Sequence, residues 1–316
     1  MRREDLIESA RSILVTAGFN VSQPINMRSI SFDIVAKREG KLLIIKILSN
    51  VDAFSRDNAQ EMKVLAEALD ASPILIGERS SSGELEAGIV YTRFNIPIIS
   101  IETLADHLIE EVPPFIFAAP GGLYVHLDSE LLHKVRETRS ISLGTLAEIA
   151  GVSRRTIQMY ETGMGAMIDA ALKLEEFLGV PIIESVDPFV YEKEEGTIAI
   201  ELSRGTTTES PVFNVLLDLG YSLTPVKRSP FEALTKDTKL VILTGLGNDE
   251  SKLKAKATMV SDISIVAGQR SVIFVDRIRS SDSIGSTALI GNDELKKIDD
   301  PSQLLELVFN RSRIDD

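Results

Sequence analysis

The chain of 316 residues contains no cysteine. Disulfides and thiolate-held metals are therefore excluded, and a reducing interior is the natural setting. Histidine is scarce: His107, His126 and His133 are scattered, with no spacing that suggests metal ligation. Apolar stretches such as Leu42–Ile45 and Ile96–Ile101 fall far short of the ~20 residues that span a bilayer. Met1-Arg2-Arg3-Glu4-Asp5 reads as the polar start of a helix and not as a secretory leader. Basic charge is also in deficit, with a net charge of −13. These absences together predict a soluble cytoplasmic protein with no membrane partner, no cofactor and no histone-like coating of nucleic acid.

Residues 142–162 carry the most information. They predict two short helices at a steep angle, joined by a tight turn. Ala147 supplies a small side chain where two helix backbones must approach closely. Gly151 can adopt the left-handed conformation that stops the first helix. Ser153 is the expected N-cap of the second, its hydroxyl accepting an otherwise unpaired backbone N–H. Leu146, Ala150, Val152, Ile157 and Tyr160 are spaced to meet in one core. Ser153, Arg154, Arg155, Gln158 and Met159 are left facing outward. Arg and Gln form paired hydrogen bonds with guanine and adenine edges in the major groove. Upstream, Leu131, Leu132 and Val135 mark a supporting helix starting near Asp128 or Ser129. Downstream, Ala170, Leu174, Phe177 and Leu178 predict one buried face of a further helix. Between Leu131 and Tyr160 five bases (Lys134, Arg136, Arg139, Arg154, Arg155) face two acids (Glu137, Glu148), leaving +3 on an acidic body.

That run resembles the lambda-repressor/Cro-like (XRE) family, in which a recognition helix of the form seen at 151–161 precedes a closing helix like 171–180. The resemblance implies that Arg154, Arg155, Thr156 and Gln158 lie against DNA; Ser153, Met159, Lys134 and Arg139 complete the expected set of DNA-binding residues. One position departs: the family often has a phosphate-contacting Gln early in the first motif helix, where this chain has Leu143. Backbone N–H groups at that helix start remain available to a phosphate.

The first 112 residues predict a separate α/β sandwich: a helix ending at Gly18, a hairpin around Arg38-Glu39-Gly40, a helix over Asn58–Leu69, strands at Pro73–Gly77 and Ile96–Ile101, and a helix from Glu102. At Asp33 and Lys46 this module resembles the PD-(D/E)xK nuclease fold, restriction-endonuclease-like and shared by Holliday-junction resolvases. That family holds a divalent cation with two acids and places a lysine on the attacked phosphate. Here the second carboxylate position is Ile44, which cannot ligate a hard cation. The expectation is a catalytically dead nuclease fold, with Asp33 and Lys46 a structural ion pair or unrelated surface residues.

A weak internal repeat relates Ala17–Leu108 to Leu219–Leu307. Lys41–Ile45 aligns with Lys239–Leu243 and Ile74–Arg79 with Val272–Arg277, both at an offset of 198. Phe32-Asp33 falls against Phe231-Glu232, and Thr244 against Lys46. Phe189–Tyr191 and Thr197–Leu202 are candidate hairpin strands. Gly245-Leu246-Gly247 reads as a tight turn, lacking the rest of a phosphate loop. The expected organisation is a degenerate nuclease-like α/β domain (1–112), a linker (113–127), an all-α, lambda-repressor-like helix-turn-helix domain (128–182) and a C-terminal α/β domain repeating the first (183–316).

The function expected is a sequence-specific, non-enzymatic transcriptional regulator binding double-stranded DNA as a homodimer, with an effector left open. A nuclease or resolvase targeted by the helix-turn-helix is the alternative, and an antitoxin-like scaffold a third reading.

Overall fold

The computed structural model describes residues 2–25, 27, 29–191, 201–237, 240–247, 250–278 and 281–312. The first third of the chain forms α1 (Arg3–Thr16), β1 (Asn20–Val21), β2 (Ile34–Arg38), β3 (Lys41–Asn50), α2 (Arg56–Leu69), β4 (Ser72–Ser80), β5 (Gly83–Glu84), β6 (Ile89–Arg93), β7 (Ile96–Ser100) and α3 (Ile101–Leu108). Next come β8 (Ile116–Ala119), β9 (Gly122–Leu127), α4 (Ser129–Thr138), α5 (Leu143–Ala150), α6 (Arg154–Tyr160), β10 (Ala166–Met167), α7 (Ile168–Leu178) and β11 (Ile183–Glu184). The last part forms α8 (Pro211–Asp218), β12 (Ser222–Pro225), β13 (Ala233–Lys236), β14 (Val241–Gly247), α9 (Glu250–Ala267), β15 (Arg270–Val275), β16 (Ser283–Ile284), β17 (Thr287–Gly291), α10 (Asn292–Leu295) and α11 (Pro301–Arg311).

These elements gather into two units, each assembled from separate stretches of chain. The first comprises Met1–Ile13, Leu48–Asp52 and Ile74–Tyr191. Its spine is a sheet in which β4 pairs in parallel with β7, β7 antiparallel with β6, and β6 in parallel with β8. The β8–β9 hairpin continues it, and β9 then pairs antiparallel with both β10 and β11. Residues 113–127, expected as a linker with a further strand at Leu123–Leu127, carry that strand as β9 and a second one, β8. Their apolar side chains (Phe117, Val125, Leu127) give them a face to bury, which a solvated linker lacks. Strand β6, absent from the sequence reading, supplies the other link.

The second unit comprises Leu14–Ile47, Ala53–Pro73 and Glu192–Asp316. β1, β2 and β3 pair antiparallel in sequence. Glu39 and Gly40 turn the β2–β3 hairpin with φ of 49° and 84°. The six-stranded sheet runs β12-β13-β14-β15-β17-β16. Its centre, β14–β15–β17, is parallel, while β12–β13–β14 and β16–β17 are antiparallel. Parallel strands buried on both faces are near-continuous in apolar residues, as Val272–Val275 and Ala288–Ile290 are. Leu216, Leu217, Leu223, Val272, Phe274, Ile290 and Val308 lie in one core cluster.

The helices α1, α2 and α3 and the strands β2, β3, β4 and β7 stand where the sequence expected them. The strand expected at Thr197–Leu202 lies mostly outside the described residues. The fold is multidomain, combining α/β sheets with a helical domain.

Candidate nucleic-acid interface

Four helices, α4 to α7, make the helical domain, and three begin on a side-chain cap. Asp128 accepts the Leu131 N–H at 2.8 Å, Ser142 the Thr145 N–H at 3.0 Å, and Ser153 the Thr156 N–H at 3.0 Å. Each satisfies one of the backbone donors that a helix start leaves unpaired. Gly151 ends α5 at φ 68°, ψ 32°, a conformation that costs a residue with a β-carbon free energy. The chain can therefore re-start as α6 after only two residues.

The core of this domain contains Leu132, Leu146, Ala147, Ala150, Ile157, Tyr160, Ala170, Leu174 and Leu178, with Leu131, Val135 and Val152 packed at its margin. Phe177, expected inside, is exposed. α7 buries Ala170, Ala171, Leu174 and Leu178, a stripe that leaves position 177 on the outer flank.

On α6, Ile157 and Tyr160 point into the core, and Ser153, Arg154, Arg155, Gln158 and Met159 are exposed. Thr156 is half-buried and its hydroxyl lies 2.8 Å from that of Ser153. The two arginines behave differently. The Arg154 guanidinium lies across the first turn of α5: a β-carbon added at Gly144 would stand 3.1 Å from its Nε. Leu143, next to it, packs against the core. A cation thus lies beside the site where the resembled family often has glutamine.

Lys134 is exposed on α4. Arg139, at the end of the same helix, donates from its guanidinium to the Leu178 carbonyl at 2.5 Å, tying α4 to the end of α7.

A partly buried ion pair locks the far end of α6. Arg136 Nε donates to Glu161 Oε1 at 2.5 Å and a second guanidinium nitrogen reaches Oε2 at 3.1 Å. His133 Nδ1 lies 3.1 Å from the same carboxylate. Burial pushes the Glu161 carboxyl up, but hydrogen bonds and charge from Arg136 and His133 outweigh it and hold it below the ordinary range. Ser129 Oγ adds a hydrogen bond to the Tyr160 carbonyl at 2.6 Å. Sequence spacing alone gave no sign of this clamp.

The domain is also stitched to the sheet of its unit. Ala166 pairs with Val125 and Ile183 with Leu127, so β9 is held on the strands before and after α7. Phe117 stacks on His126 with ring centroids 4.3 Å apart. Gly165 makes room for that ring, since a β-carbon there would lie 2.7 Å from Phe117 Cζ.

Asp33 and Lys46, the remnant of the nuclease pattern, are both buried. Lys46 Nζ donates to Asp33 Oδ1 at 3.2 Å and to the Ile30 carbonyl at 2.8 Å. Asp33 Oδ2 accepts the Ile47 N–H at 2.7 Å. Ile44 is buried as an apolar core residue. Among the described residues no three His, Asp or Glu side chains converge as metal ligands would. No helix of those residues is long and apolar enough to cross a membrane.

Residues 3–114 match a family model described as a PD-(D/E)XK superfamily domain. Residues 132–185 match one described as Helix-turn-helix. The chain is 40% identical over 315 residues to an HTH-type transcriptional regulatory protein of Methanocella arvoryzae, with 98% of this chain and 97% of the relative covered. A relative so named in Methanoregula boonei is 35% identical over 308 residues, covering 98% and 96%. One in Methanosarcina barkeri is 37% identical over 325 residues, covering 100% and 99%. No solved structure matches the chain.

Proposed function

This chain belongs to the archaeal family of HTH-type transcriptional regulatory proteins, and from that premise we propose that it is a cytoplasmic, DNA-binding regulator that reads sequence with α6 in the major groove. The observation that carries the reading is the division of α6: Ile157 and Tyr160 are buried, while Ser153, Arg154, Arg155, Gln158 and Met159 are exposed. Arg155 and Gln158 are assigned to base edges, and Met159 to apolar contact such as a thymine methyl. Arg154, Ser153, Thr156 and Lys134 are assigned to the phosphate backbone, which positions without specifying sequence. Arg139 contributes positive charge while its guanidinium supports α7. Selection of bound genomic fragments by the full chain tests the reading. A defined motif supports it, and indiscriminate recovery overturns it.

One recognition helix reads only a few base pairs, too few to single out an operator among competing sites. The working form is therefore a homodimer on a pseudo-palindrome with half-sites about one helical turn apart. A sedimentation measurement at micromolar concentration that finds only monomer, with and without DNA, would end that part of the proposal.

The nuclease-like module (1–112) is assigned a non-catalytic role, because Asp33 faces a lysine and a backbone N–H where a second acid would be needed for a cation. The C-terminal domain (183–316) is read as its repeat. Support comes from equivalent pairings: Asp33 N–H donates to the Ile45 carbonyl and Asp33 Oδ2 accepts from Ile47, as Glu232 N–H donates to the Thr244 carbonyl and Glu232 Oε2 accepts from Leu246. On this register Gly245, not Thr244, stands opposite Lys46. The cation comes instead from α9, where Lys256 Nζ lies 2.5 Å from Glu232.

A further inference from the structure

We propose that the two α/β modules of this chain are paired as an internal dimer about a pseudo-twofold axis, the C-terminal module serving as the fixed partner of the N-terminal one. The pairing rests on the proposed repeat of the first domain in the C-terminal one. Matching strand pairings support that repeat. β1–β2–β3 and β12–β13–β14 are both antiparallel. β4–β7 and β15–β17 are both parallel, and β7 and β17 then pair antiparallel with β6 and β16.

The contacts between the modules are reciprocal. Glu61 on α2, in the first copy, accepts the backbone N–H groups of Lys227 at 3.0 Å and Arg228 at 2.5 Å, in the loop between β12 and β13 of the second. Asp262 on α9, in the second copy, accepts the backbone N–H of Gln23, in the loop between β1 and β2 of the first. Gln23 and Lys227 are 204 positions apart and Glu61 and Asp262 are 201 apart, close to the spacing of the repeat. A helix carboxylate of each copy thus holds the corresponding loop of the other. The two loops also meet: the Arg228 carbonyl accepts from the Ser31 N–H at 2.9 Å and from the Ser31 hydroxyl at 3.0 Å. Equivalent patches that exchange partners are the mark of a twofold association.

Burial agrees. Loops between strands ordinarily run over the surface, where water satisfies their backbone groups. Here Ile30, Ser31 and Phe32 of one loop are buried, and so are Val226, Ser229 and Phe231 of the other. α2 buries five consecutive residues, Met62–Ala66, more than a helix resting on a single sheet covers. α9 lies against β2 of the other copy as well as against its own sheet. These surfaces are spent within the chain, so contacts between chains must use other faces.

The test is hydrogen exchange on the full chain, read at single amides, for the wild type, Glu61→Ala and Asp262→Ala. Paired modules should open as one. Glu61→Ala should then quicken exchange about tenfold at Gln23, which is bonded to Asp262, and Asp262→Ala should do the same at Lys227 and Arg228. Ser31, bonded to Arg228, should quicken in both variants. Wild-type protection at these amides should not change on dilution, since both partners lie in one chain. Effects confined to the amides that each carboxylate holds, or protection that falls on dilution, would overturn the pairing and leave the repeat standing. A crystal structure in which Asp33 and Glu232 fail to coincide when the modules are overlaid would overturn the repeat, and the twofold with it.

Discussion

Arg136 on α4 and Glu161 at the carboxyl end of α6 form a two-point ion pair, with the nearer contact at 2.5 Å and both side chains almost buried. Helix α6 is thus anchored to α4 at the end away from Arg154 and Arg155. Glu161→Gln keeps the shape and removes the charge. It should destabilise the helical domain by about 1–3 kcal/mol, the usual cost of losing a hydrogen bond to a charged group. Thermal denaturation measures this, and an unchanged transition would show that the pair contributes nothing.

The same carboxyl makes that stability depend on pH. Glu161 is held below its ordinary value in the folded chain, so the unfolded chain binds its proton first as pH falls. Its contribution is complete above the ordinary carboxylate range near 4.5 and is lost as pH drops through the folded value. The gap in stability between the wild type and Glu161→Gln should therefore close as pH falls below the ordinary carboxylate range. A gap that stays constant as pH falls would show that ionisation of Glu161 is not its source.

Arg155→Ala should relax base preference at one operator position and cost about 1–3 kcal/mol on the preferred base. Lys134→Ala should instead weaken all sequences alike and lower the salt dependence of binding by about one unit. Arg154→Ala should behave like Lys134→Ala. Competition binding over a set of single-base variants separates the two patterns. Identical profiles for Arg155 and Lys134 would refute the division between base and phosphate contacts.

Asp33→Ala leaves the Lys46 ammonium buried without its carboxylate, and should cost about 3–5 kcal/mol in denaturant unfolding. Joint replacement by Asp33→Leu and Lys46→Met should recover much of the loss, because neither charge then remains inside. Neither the wild type nor these variants should cleave linear or branched DNA with Mg²⁺. Cleavage that disappears in Asp33→Ala would restore the catalytic reading.

Gly165→Ala should cost about 1–3 kcal/mol, since the added methyl meets the Phe117 ring in a filled space. Hydrogen exchange should quicken along β9 and β10. Protection unchanged at Val125 and Ala166 would show that the ring simply moves aside.

The helix-turn-helix was legible in sequence because its determinants are local. Ser142, Gly151 and Ser153 act on backbone within a few residues, and Ile157 and Tyr160 fall on one helical face. The strands that hold it were harder to read. β10 is two residues long and exists through its pairing with Val125 and Tyr124, some forty positions earlier. The Arg136–Glu161 contact likewise depends on how two helices cross. Phe177 satisfied the apolar spacing and still lies outside, since periodicity fixes a helix face but not where its buried stripe ends. In the nuclease-like module, Ile44 signalled the missing ligand from its identity alone. That Asp33 is occupied by Lys46 and the Ile47 N–H required the strand register.

The run β6–β8–β9–β10 has a consequence for how an operator must be built. A reading head carried on continuous strands has no swivel, so it cannot hunt for a displaced half-site as a tethered one could. In the proposed homodimer the spacing between half-sites would then be a property of the protein. Adding five base pairs between them would turn one half-site to the opposite face of the duplex, about half a helical turn away, and leave one head without bases to read.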